Sequence, residues 1–208
     1  MATETPSTAP AYPATLTIDY PDRPLNRLTT FFRIFTVIPI AIILALISGG
    51  AYEWTWLYST GGILVLPVVL MILFRKKYPR WWFDWNLALT RFSTRVGAYL
   101  GLLTDVYPST DEEQAVHIEI QYPDVQKDLS RGLPLVKWFL AIPHYVILFF
   151  LGIAAFVCVV AAWFAILFTG RYPRGLFDFV VGVSRWSLRV AVYAFLLTTD
   201  RYPLFSLD

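Results

Sequence analysis

Two arginines one helical turn apart, Arg91 and Arg95, recur 94 residues later as Arg185 and Arg189. A spacing of i, i+4 puts both guanidinium groups on one helical face, where together they could hold a phosphate through bidentate bonds. We expect these four arginines to bind lipid headgroups, because basic pockets beside membrane helices commonly hold anionic lipid. The competing role is the solvated edge of an amphipathic helix, with long side chains reaching out to water. Asp84 and Asp178 each follow a basic residue, Arg80 and Arg174, by four positions. A carboxylate near a helix N-terminus is stabilised by the helix dipole, so we read Asp84, Asp178, Arg80 and Arg174 as a structural brace.

Catalytic chemistry has no comparable signal. There is no nucleophile elbow, no HExxH zinc motif, no phosphate loop and no spaced pair of carboxylates inside an apolar run. We therefore expect no enzymatic activity, no metal and no cofactor. The single cysteine, Cys158, excludes an intramolecular disulfide. His144 falls within an apolar run and His117 within an alternating one, so no pair of histidines is placed to ligate a haem. A helix-to-helix hydrogen bond is the expected role of His144.

The arginine pairs belong to a longer duplication. Tyr78-Pro79-Arg80, Phe83-Asp84, Tyr99 and Leu102-Leu103-Thr104 recur, again 94 residues on, as Tyr172-Pro173-Arg174, Phe177-Asp178, Tyr193 and Leu196-Leu197-Thr198. Upstream, Tyr20-Pro21-Asp22 matches Tyr122-Pro123-Asp124, and Arg27, Arg33, Phe35 and Ile38-Pro39 match Arg131, Lys137, Phe139 and Ile142-Pro143. Self-similarity of this kind signals repeated structural units. We read a disordered tail over 1–14, a first unit over 15–108, a linker over 109–114 and a second unit over 115–208. The tail is small, polar and proline-bearing rather than a signal peptide. The linker, with Glu112 and Glu113, reads as a solvated connector.

The elements that must position the arginines follow from composition and period. The chain is 57% apolar and only 15% charged, which points to lipid as its solvent. A net charge of +2, without a basic face, excludes nucleic acid as a partner. Thr15–Tyr20 and Val116–Tyr122 alternate in polarity and stop at Pro-Asp, so each reads as a short strand, and the two are expected to pair. Phe31–Ser48 and Trp56–Phe74 each approach the roughly 20 residues of a membrane span. Leu135–Phe168 reads as two short spans joined by a turn near Gly152–Ala155. Pro39, Pro67 and Pro143 interrupt these runs, and we read Pro39 and Pro143 as a repeated packing kink. The feet of each hairpin are basic and the tips are not, which places the feet, the strands and both termini in the cytoplasm. The segments Trp81–Asp105 and Gly175–Thr199 carry their charges on one face and tryptophans elsewhere, which suits helices lying in the membrane plane. The expected fold is an all-α integral membrane protein with two tandem helical hairpins, hence four transmembrane helices. Each hairpin is followed by an in-plane amphipathic helix, and short cytoplasmic β-strands precede the hairpins.

The run Arg171-Tyr172-Pro173-Arg174-Gly175-Leu176-Phe177-Asp178-Phe179, continuing through Gly182, Arg185-Trp186, Arg189-Val190, Tyr193, Leu196-Leu197-Thr198 and Tyr202-Pro203, resembles the bacterial membrane family known as domain of unknown function 4389. The first unit is similar but departs from it at Lys76-Lys77 and Trp85-Asn86, which makes two tandem copies. The resemblance implies an integral protein of the inner membrane and carries over no catalytic residue.

Together these features lead us to expect a non-catalytic scaffold or accessory subunit of a larger membrane complex. Its partners would be membrane lipids and other membrane subunits or a second copy of itself. The alternative is a small transporter or channel with its path at the repeat or dimer interface. The expected spans offer few polar side chains to line such a path, chiefly Thr36, Ser48, His144, Arg33 and Lys137. A lipid-modifying enzyme is a third class, but it would need a nucleophile or metal site that the sequence does not display.

Overall fold

A computed structural model describes residues 12–47, 62–110 and 112–208. Most of the expected N-terminal tail and the tip of the first expected hairpin, Gly49 to Thr55, lie outside these residues. The chain runs β1 (Ala14–Ile18), α1 (Arg27–Phe31), α2 (Arg33–Ile47), α3 (Gly62–Leu70), a π-helical turn (Met71–Arg75), α4 (Arg80–Leu100), β2 (Val116–Ile120), α5 (Leu133–Leu140), α6 (Ile142–Thr169) and α7 (Arg174–Ala194).

The two alternating segments pair with each other. β1 and β2 form an antiparallel ribbon in which Leu16 faces Ile118. Ala14, Leu16, Ile18, Val116, Ile118 and Ile120 are buried, while the intervening residues are exposed. This is the period-2 pattern of a strand with one face on a core. A two-stranded ribbon is marginal alone, and this one rests on helices, β1 on α7 and β2 on α4.

Helices α4 and α7 form the middle of the molecule. Both start immediately after a proline, Pro79 and Pro173, held at φ −64° and −62°, which suits the first turn of a helix. Each runs for 21 residues. Just beyond them, Leu102 and Leu197 adopt left-handed backbone angles of 63° and 57°, an uncommon state for a non-glycine residue. These turns swing Thr104-Asp105 and Thr199-Asp200 back towards α2 and α5. α2 packs on α4, and α5 and α6 pack on α7. The largest core cluster joins the ribbon to Val65, Val68 and Val69 of α3, Ala162 and Ile166 of α6, and Phe177 and Val192 of α7.

The two-hairpin, four-span expectation is overturned. Among the described residues one helix, α6, is long and apolar enough to cross a membrane; α2 and the Val65–Arg75 segment are shorter apolar helices. The expected turn at Gly152–Ala155 lies inside unbroken helix, so the second hairpin does not exist. A glycine within a helix costs about 1 kcal/mol relative to alanine. A turn there would instead free several backbone groups among apolar side chains, at about 1–3 kcal/mol for each one left unpaired. Pro143 is no kink either, since it sits in the first turn of α6, where its missing N–H is not needed. Pro39 and Pro67 do lie inside α2 and α3. The amphipathic segments are helical as expected, but their arginine faces meet the ribbon rather than an open surface.

Candidate functional site

The four arginines lie under and beside the ribbon. Hydrogen bonds Asp19 N to Ala115 O and Gln121 N to Pro13 O, both 2.9 Å, flank the ladder. In an antiparallel pair, hydrogen-bonded and non-bonded residue pairs alternate. By that alternation the Leu16 and Ile118 pair is non-bonded, and its carbonyls point outward from the two edges. Arg185 Nε donates to Leu16 O at 2.9 Å. Arg91 Nε and Nη2 donate to Ile118 O at 3.2 and 3.1 Å. The arginines thus cap the unpaired carbonyls that make ribbon edges sticky. Each arginine grips the strand that belongs to the other half of the chain.

One turn along, Arg95 Nη1 donates to Ser109 O at 2.8 Å, and Arg189 Nη2 donates to Ser206 O. These bonds pin the segments that follow α4 and α7. Both side chains are buried, and the Nε of each has no hydrogen-bond partner. Burial pulls the Arg189 guanidinium below the ordinary arginine range, with Tyr12 opposing that shift. Of the four, only Arg91 is exposed.

The brace residues behave unequally. Arg80 Nε reaches Asp84 Oδ1 at 3.3 Å on the open surface. No such pair joins Arg174 to Asp178 among the described residues. Arg174 lies over the Tyr20 ring at 4.3 Å, and Arg80 over the Tyr122 ring at 4.9 Å. The two aromatic rings belong to the Tyr-Pro-Asp segments that end each strand, so these cations brace strand to helix. Tyr20 Oη donates to Tyr172 O at 2.5 Å, and Tyr122 Oη donates to Tyr78 O.

Sequence reasoning missed the two buried ion pairs. Arg33 meets Asp105 at 2.6 Å and donates to Thr104 O at 2.7 Å. Lys137 meets Asp200 at 2.8 Å and donates to Thr199 O at 2.7 Å. Arg33 also lies over Tyr99, and Lys137 over Tyr193. Burial lowers the Lys137 ammonium below its usual range, and Asp200 opposes the shift. The signal was present in part: Arg33 opens α2 and Lys137 lies in the last turn of α5, and each aspartate follows a Leu-Leu-Thr stretch. Their separation of some seventy residues hid the pairing.

His144 accepts a hydrogen bond at Nδ1 from the Trp186 indole, 3.0 Å away, which joins α6 to α7 as expected. Trp186 is accordingly buried, whereas Trp81 and Trp85 are exposed. Between α4 and α7 lies a cavity of about 360 Å³ whose hydroxyls come from Thr90, Ser93, Thr94, Ser184 and Ser187. Each of these hydroxyls donates to a carbonyl of its own helix one turn earlier. Only their lone pairs are left for a guest, and no histidine, lysine or carboxylate is among the described residues that line the cavity. Among the described residues no group of three or more histidine, cysteine, aspartate or glutamate side chains could hold a metal ion.

No curated protein and no solved structure matches this chain. Residues 134–206 match the family described as Domain of unknown function (DUF4389), a single match that takes in α5, α6, α7 and the segment bearing Asp200 and Ser206.

Proposed function

We propose that the protein is a non-catalytic scaffold or accessory subunit of a membrane complex, held in the bilayer by its outer helical layer. The observation that carries this reading is the outward face of α2, α5 and α6. Phe35, Phe139, Phe149, Phe150, Phe156 and Phe168 are each more than 60% exposed, among many exposed aliphatic neighbours. Contiguous apolar surface beyond a few hundred Å² marks a membrane or protein interface. The ribbon exposes the polar residues Thr15, Thr17, His117 and Glu119. Anionic headgroup contact falls to the exposed cations, with Arg91 among the four named arginines, and to Arg27, Arg75, Lys77 and Arg171 at helix ends. The basic residues near these ends favour a cytoplasmic ribbon in an inner membrane.

The same reading treats the chain as two copies of one unit. Its support is the matched chemistry of Arg33–Asp105 with Lys137–Asp200 and of Arg91–Ile118 with Arg185–Leu16.

The test is purification of the tagged protein in a mild detergent, with mass spectrometry of co-purifying proteins and lipids. A stoichiometric set of membrane subunits supports the accessory role. A protein that stays in the aqueous fraction without detergent, and carries no lipid, sinks the reading.

A further inference from the structure

A groove runs between the C-terminal half of α4 and the second half of α6. Gly97 and Gly101 form its floor, and Leu100, Phe156, Val160 and Phe164 form its walls, enclosing about 580 Å³. Ligand sites usually offer about 300–1,000 Å³. Along α6 the groove extends about 12 Å at 1.5 Å per residue, close to half of a hydrocarbon core roughly 30 Å thick. Arg33 and Ile34 line it too, as does Trp163, whose indole donates to Thr30 O one turn before Arg33.

Among the described residues, larger side chains stand at the matching place in the second half of the chain. Gly97 and Gly101 correspond, 94 residues on, to Ala191 and Phe195, while Ile34 and Ala41 correspond, 104 residues on, to Trp138 and Tyr145. There the Trp138 indole donates to Ala194 O at 2.6 Å, and Tyr145 packs on Phe195 with ring centroids 6.2 Å apart. Protein side chains fill the space that the first half leaves open.

We propose that this groove seats one acyl chain of a phospholipid, with the ester oxygen of that chain accepting a hydrogen bond from Arg33. The inference rests on the membrane reading above. The walls are continuous with the exposed apolar faces of α2 and α6, so a chain reaches the groove from the bilayer without crossing a polar rim. Arg33 has given one nitrogen to Thr104 O and another to Asp105, and its Nε is buried without a partner. A neutral ester oxygen suits a cation already neutralised by Asp105. A phosphate in the same place would face that carboxylate with like charge.

The experiment uses the full chain in phosphatidylcholine nanodiscs containing a phosphatidylcholine with a photoreactive diazirine in its acyl chain. Labelling is expected to concentrate on residues 156–164 and 97–102, above the level on the exposed Phe149 and Phe150. Gly97→Phe should reduce the groove label at least fivefold and leave the Phe149 and Phe150 label unchanged. A Cβ at Gly97 meets nothing within 4 Å, so the substitution begins without a clash at the backbone. Arg33→Lys keeps a cation beside Asp105, as Lys137 does beside Asp200, but lacks Nε. It should lower the preference for ester-linked over ether-linked chains by roughly three- to tenfold, the worth of one hydrogen bond. Even labelling along α6, or a groove label indifferent to Gly97→Phe, overturns the proposal in favour of ordinary bilayer contact. Cross-links between two chains at the groove overturn it in favour of a second copy. Absence of label anywhere, with the protein outside the discs, overturns the membrane reading itself.

Discussion

Among single residues, the same basic chemistry has very different consequences according to where it is buried. Arg33 and Asp105 are 2% and 9% exposed, whereas Arg80 and Asp84 are 70% and 55% exposed. Removing one partner of a buried pair leaves an uncompensated charge and costs about 3–5 kcal/mol. Exposed pairs are worth about 0–1 kcal/mol. Chemical denaturation in detergent should therefore show Arg33→Ala losing several kcal/mol and Arg80→Ala almost nothing; equal losses would mean the Arg33 pair is not formed. Arg185→Ala strips the cap from the Leu16 carbonyl and should cost about 1–3 kcal/mol, the penalty of an unpaired polar group. Hydrogen exchange of β1 amides should rise in that variant, while the α6 amides stay protected. These contacts explain why the arginine pairs were legible in the sequence as important but not as to their partner. A guanidinium fork fits a phosphate and an outward strand carbonyl by the same donor geometry, and spacing along one helix does not say which acceptor stands opposite.

For the elements, period and length decided most of what could be read. The alternation of Leu16 and Ile18 with Thr15 and Thr17 is independent of context and gave the strand directly. The one-sided charges of Trp81–Asp105 and Gly175–Thr199 gave the two amphipathic helices for a similarly local reason, and the structure starts them just after Pro79 and Pro173. The 135–168 run misled, because it reads as two short spans while an apolar stretch of that length also accommodates one long helix behind a short one, and nothing local chooses between them. In the fold, α6 lies antiparallel against α7, with Tyr145, Leu148 and Leu151 packed near Trp186, Val190 and Tyr193. A turn at Gly152 would break that seam in two. Ile153, on the outward face of α6, is 50% exposed. A lysine or arginine at the centre of a membrane helix costs about 2.5–3.5 kcal/mol of insertion free energy. Ile153→Lys should accordingly lower the fraction of protein that resists alkaline extraction from membranes. An unchanged fraction would show that this part of α6 is not in lipid.

Across the whole molecule, burial of ionisable groups links stability to pH. Tyr12, Tyr78 and Tyr172 have phenols raised well above 10.0 by burial. The native state then holds these protons after the unfolded chain has released them. Their contribution is full below about pH 10 and is lost as pH rises beyond it. Lys137 acts in the opposite sense, because its lowered affinity makes the native state release a proton first, so stability rises with pH over a window that ends at its unfolded value of 10.5. The opposing window of Lys137 closes at 10.5, so beyond it the tyrosines carry the melting temperature down. Phenolate absorbance of the three should appear together with unfolding; its appearance in the folded protein, before any loss of helix, would show them accessible. Tyr78→Phe, which loses a 2.8 Å bond to Leu196 O, should weaken this alkaline dependence while costing about 1 kcal/mol at neutral pH.

The sequence by itself determined the local periods: two alternating strands, two amphipathic helices within Trp81–Asp105 and Gly175–Thr199, and long apolar runs between them. Only the tertiary structure decided that Leu135–Phe168 holds one long helix behind a short one, that Arg33 and Lys137 turn inward to Asp105 and Asp200, and that Arg91 and Arg185 cap the ribbon. The reason is that period is set by a residue's immediate neighbours. The acceptor for a buried cation is supplied by chain dozens of residues away, whose arrival depends on how the whole core packs.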